Sequence, residues 1–289
     1  MCASSCHPIF LTADALSPDG NSGTLTHPGG SVQRSRVLAA YRDGITVIGE
    51  LAAQFTDVSW FSPTPCAEWR AADLAGHLRC VADDYHEYLD DAPVSRLARL
   101  MATGASADSL ARKLARQNAA ELAALPDGPG KEHIDAFIES ARAYGRRVYS
   151  LWDQPHHSYR GYNVTVGLMT GLACAEWHLH AWDLARTLGK DYRPADPALV
   201  LDAWCAGKPE LSGGLPIGTA ALAGTHAGKD PWDALLGASG RDLRWVRVLV
   251  LTPCSRCYAE GYLWNPGRAG ISRDCVPVLW GCAGAAGWC

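Results

Sequence analysis

One stretch of the sequence, residues 168–189, constrains the fold more than any other part of the chain. It reads LMTGLACAEWHLHAWDLARTLG, and its apolar residues recur at helical spacing: Leu168, Leu172, Ala175, Leu179 and Trp182. Apolar residues at this spacing form one face of an α-helix, and such a face packs against a hydrophobic core. Gly189 follows the last periodic residue and readily adopts the left-handed backbone conformation that ends many helices. The stretch therefore predicts a core-facing helix that ends at Gly189.

Three polar side chains on this helix follow the same period, one residue away from the apolar face. They are Glu176, His180 and Asp183, and we expect them at the border between the core and a cleft. Four residues advance a helix by about 400°, so Glu176 and His180 lie within roughly 40° of each other. Such a pair can bind one cation or form an ion pair, and the spacing leaves both open. His178 lies about 200° from Glu176 and is expected to point away.

The same periodicity recurs in three earlier segments and predicts an all-α fold. We expect these helices at about 37–57, 71–89 and 134–152, with a less regular helix at about 107–125. Four principal helices joined by connections of moderate length pack most simply as a bundle. Residues 153–163, DQPHHSYRGYN, show no period and are expected to form an irregular connection.

Composition divides the chain into four parts. Residues 1–33 are rich in Ser, Gly, Pro and Thr, and we expect a disordered leader there. The bundle would occupy 34–190 and a small C-terminal appendage 191–245. Residues 246–289 contain many glycines and cysteines without a lasting period, so we expect an irregular, atypical tail that is unfolded or arises from a shifted reading frame.

Charge and cysteine usage exclude several classes of protein. The net charge is −4 and 48% of the residues are hydrophobic, which favours a globular protein acting on small molecules over one that binds nucleic acid. The sequence has no secretory signal and no apolar run long enough to cross a membrane, so we expect a cytoplasmic protein. Its 11 cysteines, an odd number, argue against a disulfide framework.

The second predicted helix carries a histidine, His77, beside its apolar face. Together with Glu176 and His180, this residue would provide two imidazole nitrogens and one carboxylate. Catalytic zinc sites use such sets of three ligands and leave a fourth position for water or substrate. Whether His77 approaches the other two depends on how the helices pack, which the spacing does not determine.

Two fragments together resemble a known family. TPCAEWRAADLAGHL at 64–78 and EWHLHAWDLARTLG at 176–189 are similar to the actinobacterial family of mycothiol-dependent maleylpyruvate isomerases. That family belongs to the DinB-like group of metal-binding four-helix bundles. The resemblance spans roughly residues 37–245, although Leu243 stands where the family has a proline. It implies a DinB-like four-helix bundle for this chain.

The resemblance also implies a metal site and a chemistry. His77, Glu176 and His180 match the three metal ligands of the family, and Asp183 matches an acidic position that could orient His180 or join two helices. The implied function is a metal-dependent isomerase or S-transferase that uses zinc, takes mycothiol or a similar thiol as cosubstrate, and acts on a small electrophile. The main alternative is a non-catalytic metal-binding bundle that serves as a sensor or partner-binding module. Two further alternatives are a metal-dependent hydrolase with the same three ligands and a degenerate copy that its atypical tail has disabled.

Overall fold

A computed structural model describes residues 30–66, 69–90, 107–126, 128–159, 162–207 and 230–245. Most of these residues are helical. The helices are α1 (Gly30–Ala52), α2 (Ala71–Asp90), α3 (Ala107–Ala124), α4 (Gly130–Leu151), α5 (Val166–Thr187), α6 (Pro197–Gly207) and α7 (Pro231–Ala238), with one turn of 3-10 helix at Ser59–Phe61. None of the described helices is long and apolar enough to cross a membrane.

Helices α1, α2, α4 and α5 form a four-helix bundle. Helix α2 packs against α4, α1 packs against α5, and α1 also contacts α4. Their buried side chains form one continuous core, which includes Ile48 of α1, Leu74 of α2, Phe137 of α4 and Trp177 of α5. The predicted all-α bundle is therefore confirmed, as are the four principal helices that the periodicity indicates.

Helix α5 is buried on nearly all sides rather than along one face, which the amphipathic pattern did not predict. Every residue of this helix except Glu176 and Arg186 is buried. Helix α6 covers a side of α5 that does not face the bundle core. The two helices approach so closely that a Cβ atom added at Gly207 of α6 would lie 2.6 Å from Cβ of Leu172 of α5. Glu176 is consequently one of the two residues of α5 that are not buried.

The local sequence determines both ends of α5. At the N-terminus, the hydroxyl group of Thr165 accepts a hydrogen bond from the backbone N–H of Leu168, a common form of helix capping. At the C-terminus, Gly189 adopts a φ of 72° and the N–H of Lys190 donates to the carbonyl oxygen of Ala185. This pattern is a Schellman motif, which requires a left-handed residue at the glycine. The predicted stop at Gly189 is confirmed.

The connection before α5 is a β-hairpin, so the prediction of an irregular segment was wrong. Strand β1 (Pro155–Tyr159) pairs antiparallel with strand β2 (Tyr162–Thr165). His156 and Val164 are buried, so part of the hairpin packs against the bundle. Strands of four or five residues are too short to establish an alternating pattern, although the tyrosines and the β-branched residues of this segment favour a strand.

The observed helix limits differ in detail from the predicted ones, and the division into domains stays a prediction. Helix α1 begins at Gly30, within the segment 1–33 that was expected to be disordered, and it ends five residues before the predicted limit at position 57. The appendage contains α6 and α7 in its described parts. Residues 1–29 and the tail 246–289 lie outside the described residues, so the predictions for them stay predictions.

Candidate metal centre

Helix α2 places His77 inside the bundle. The helix begins at Ala71, and the carboxylate of Asp73 accepts the backbone N–H of Arg70 at 2.8 Å, which satisfies one of the free donors at the helix start. His77 is 6% exposed. Its Nδ1 atom is enclosed and has no hydrogen-bond partner within the described part of the chain. Because an unpartnered buried polar atom is costly, this nitrogen is a candidate for binding a ligand.

The rings of His77 and His180 come together although the two residues are far apart in sequence. Their centroids are 5.2 Å apart and their planes are nearly perpendicular, at 82°. Trp69 packs against His77 with a centroid distance of 4.7 Å. Burial lowers the pKa of His77 well below its usual value of 6.5, and the neighbouring His180 and Arg241 lower it further. The ring is therefore neutral at physiological pH, which is the form that binds metals.

Glu176 lies one helical turn before His180 and is half-buried. The hydroxyl group of Tyr85, on α2, donates a hydrogen bond to Oε2 of Glu176 at 3.1 Å. This bond ties the carboxylate, through Oε2, to the helix that carries His77. Since most of α5 is buried, the partial exposure of Glu176 indicates where solvent reaches this part of the helix.

His180 is held by a buried ion pair. Its Nδ1 atom lies 3.0 Å from Oδ2 of Asp183, one turn further along α5. Arg241 donates to both carboxylate oxygens, from Nε to Oδ1 at 3.0 Å and from Nη2 to Oδ2 at 2.6 Å. Burial acts to raise the pKa of Asp183, but Arg241 and His180 outweigh it and hold the pKa below its usual 3.8. The carboxylate is therefore ionised, and Nε2 is the ring nitrogen of His180 that does not face Asp183.

Sequence reasoning did not find Arg241. The segment that precedes it shows recognisable helix signals, because Asp230 caps α7 and Gly240 ends it with a φ of 80°. These signals predict a short helix with Arg241 just beyond its end. They do not indicate that the arginine contacts Asp183, 58 residues earlier, since that contact depends on how α7 docks.

A second group of donor atoms lies beside the histidine pair. In the described ranges, ligand atoms of Cys66, His180 and Asp183 all lie within 4.8 Å of one another, and neither His77 nor Glu176 belongs to this group. Sγ of Cys66 is 3.3 Å from Oδ2 of Asp183. Cys66 is disulfide-bonded, so the expectation of reduced cysteines fails there and its sulfur is no thiolate ligand.

Because Arg241 already binds both oxygens of Asp183, an ion pair explains the closeness of these atoms better than a metal cage does. The alternative set consists of His77, Glu176 and His180. It provides two imidazoles and one carboxylate, which are common ligands of divalent transition metals. The enclosed Nδ1 of His77 supports this assignment. The structure brings the two histidines together, and the convergence of all three side chains on one ion stays a prediction.

The fold defines the class of protein to which the chain belongs, a DinB-like helical domain. A family model described as the mycothiol maleylpyruvate isomerase N-terminal domain matches residues 41–185, about half of the sequence, and the chain belongs to that family. The match covers the bundle with His77, Glu176 and His180, but it ends before Arg241. No curated protein and no solved structure matches the chain.

Proposed function

We propose that this protein is a metal-dependent enzyme of the mycothiol-dependent isomerase or S-transferase type. It would hold one zinc ion and use mycothiol, or a similar low-molecular-weight thiol, to act on a small electrophilic substrate. The observation that carries the proposal is the pairing of two buried histidines, of which His77 has an enclosed and unpartnered ring nitrogen. The family supports the thiol, because mycothiol is part of its description.

In this proposal, His77, Glu176 and His180 are the three protein ligands. Tyr85 holds the carboxylate of Glu176 through Oε2. Trp69 packs on His77 and shields that ligand from water. Glu176 is the ligand nearest to solvent, so the thiol and the substrate would approach from its side of the site.

A bound divalent metal would lower the pKa of a thiol or water at the open fourth position, so that a thiolate or hydroxide is present near neutral pH. The protein would leave that position free by supplying only three ligands. The thiolate sulfur would then donate an electron pair to an electrophilic carbon of the substrate. As the C–S bond forms, either a π bond of that carbon breaks or a leaving group departs, in each case with its electron pair. Isomerisation, conjugation and S-transfer all begin with this bond.

Metal content tests the site directly. We would purify the wild-type chain and the variants His77→Ala and His180→Ala and measure zinc by elemental analysis. The wild type should contain about one zinc ion per chain, as expected for a three-ligand site, and both variants should contain almost none. A matched control is His133→Ala, because His133 is a similarly buried histidine whose Nδ1 is also unpartnered. Equal zinc in all four proteins would contradict the site.

Thiol dependence then separates the enzyme from its alternatives. With maleylpyruvate as a test electrophile, the wild type should turn over the substrate only when mycothiol is added, and His180→Ala should not. Turnover without thiol would indicate a hydrolase. Bound zinc without turnover of any electrophile tried would favour the non-catalytic metal-binding module.

A further inference from the structure

The contact between Arg241 and Asp183 joins the end of the appendage to the candidate metal centre. Both residues are almost completely buried, and the guanidinium group binds the carboxylate through two parallel hydrogen bonds. Bidentate arginine–carboxylate pairs fix the orientation of both groups more strictly than single hydrogen bonds do. The carboxylate of Asp183 is therefore held in one orientation.

The orientation of Asp183 in turn determines that of the His180 ring. Oδ2 of Asp183 receives Nη2 of Arg241 and also lies 3.0 Å from Nδ1 of His180. An ionised carboxylate can only accept hydrogen bonds, so the ring is oriented with Nδ1 towards Asp183, and Nε2 is the nitrogen that remains for a ligand. Nη2 of Arg241 also lies 3.5 Å from Nδ1 of His180. Carboxylates that hold a histidine in this way orient the ring and fix its tautomer at many metal sites.

The backbone around Arg241 shows why this arginine reaches the site. Gly240 follows α7 in a left-handed conformation, and the N–H of Arg241 donates to the carbonyl oxygen of Leu236 at 2.9 Å. This Schellman motif turns the chain sharply and sets the position of Arg241 relative to α7. The same segment is tied to α5 a second time, because Arg186 donates a hydrogen bond to the carbonyl oxygen of Trp245.

We propose that Arg241 is a positioning residue of the metal centre, which acts through Asp183 to aim Nε2 of His180 at the ion. The appendage would then have to dock for the bundle to bind metal tightly. This inference rests on the proposed metal site. It adds a residue that lies outside the matched family region and that makes no contact with the ion itself.

Zinc affinity of the purified full-length chain, measured by competition with a chelating dye, tests the inference. Arg241→Gln should weaken zinc binding by about ten- to a hundredfold, the usual effect of losing a residue that holds a metal ligand in place. Arg241→Lys keeps the charge but not the paired hydrogen bonds, so its zinc affinity should lie between those of the wild type and Arg241→Gln. The matched control is Arg193→Gln, because Arg193 ties the same segment through an exposed pair with Asp230 and should leave zinc affinity unchanged.

Arg241→Gln leaves Asp183 buried without its partner and could fail to fold, so a second comparison is needed. Asp183→Asn and the double variant Asp183→Asn/Arg241→Gln remove the unpaired charge. If Arg241 acts only through Asp183, these two proteins should bind zinc with the same weakened affinity. Wild-type affinity in folded Arg241→Gln, or a further loss of affinity in the double variant, would overturn the inference. A wild-type chain that binds no zinc would overturn the proposed function as well.

Discussion

The hydroxyl group of Tyr85 on α2 donates a hydrogen bond to the carboxylate of Glu176 on α5. The bond joins the two helices that carry the histidine pair, and it orients the one predicted ligand that reaches solvent. Tyr85 therefore has the same relation to Glu176 as Asp183 has to His180. Each predicted ligand on α5 is held by a neighbouring polar group.

Removing the Tyr85 hydroxyl should weaken metal binding. In Tyr85→Phe, the ring keeps its place in the core while Glu176 loses its hydrogen bond, and zinc affinity should fall by about tenfold. Tyr144→Phe is a matched control, because the buried hydroxyl group of Tyr144 contacts Thr170 instead of a predicted ligand. Competition with a chelating dye measures the zinc affinities of both variants. Equal affinities in the two variants would show that Tyr85 serves only the packing of the core.

Cobalt substitution should test the predicted donor set. The three predicted ligands, His77, Glu176 and His180, contain no sulfur, so the Co²⁺-loaded chain should show visible ligand-field bands without a sulfur-to-cobalt charge-transfer band. A strong charge-transfer band would indicate thiolate ligation and would contradict our assignment. Cys80→Ser is the control, because Cys80 is a free cysteine on the same helix as His77, and its cobalt spectrum should match that of the wild type.

The sequence was sufficient for the parts of the fold that depend on local patterns. Leu74 and Phe137 belong to periodic apolar faces, and both are buried in helices at the predicted places. Gly189 ends α5 because the Schellman motif needs a residue that tolerates positive φ, a requirement that is visible in the sequence. Such features involve neighbours within a few residues, so a single sequence contains them.

The parts that the sequence did not predict depend on contacts between distant segments. The burial of α5 on nearly all sides arises because Gly207 lets α6 approach closely, and a lone glycine does not indicate its partner. Arg241 is similar, since its pairing with Asp183 follows from the docking of α7. The pairing of His77 with His180 was expected only through the family resemblance, because helical spacing says nothing about which helices adjoin.

Two glycine-to-alanine substitutions should differ in their effect on stability, because only one of the two glycines is in close contact with another side chain. A Cβ atom at Gly130 would lie 2.4 Å from the Trp60 ring, so Gly130→Ala should lower the free energy of unfolding by about 1–3 kcal/mol. A Cβ atom at Gly237, within α7, would meet nothing within 4 Å, and φ there is not positive. Gly237→Ala should therefore be neutral or raise stability by about 0.5–1 kcal/mol. Urea unfolding measures both, and a loss of stability in Gly237→Ala would contradict the packing of this segment.

His178 should make the stability of the protein depend on pH. The ring is buried between α1 and the segment after α5, where Nε2 donates to the carbonyl oxygen of Ala40 and Nδ1 accepts from the hydroxyl group of Tyr192. Burial lowers the pKa of His178 to about 4, although Asp43 and Ala40 act in the opposite direction. In the unfolded chain the pKa returns to about 6.5.

Between these two pKa values the unfolded state binds more protons than the folded state, so stability rises with pH and falls as the pH drops below about 6.5. A shift of this size should cost about 2 kcal/mol between about pH 7.5 and about pH 5. The variant His178→Gln has no imidazole to protonate. Over this pH interval, its free energy of unfolding should therefore fall by about 2 kcal/mol less than that of the wild type. Urea unfolding of both proteins with a metal chelator present, so that metal binding does not contribute, measures the difference. The same pH dependence in both proteins would mean that His178 becomes protonated in the folded state at its ordinary pKa.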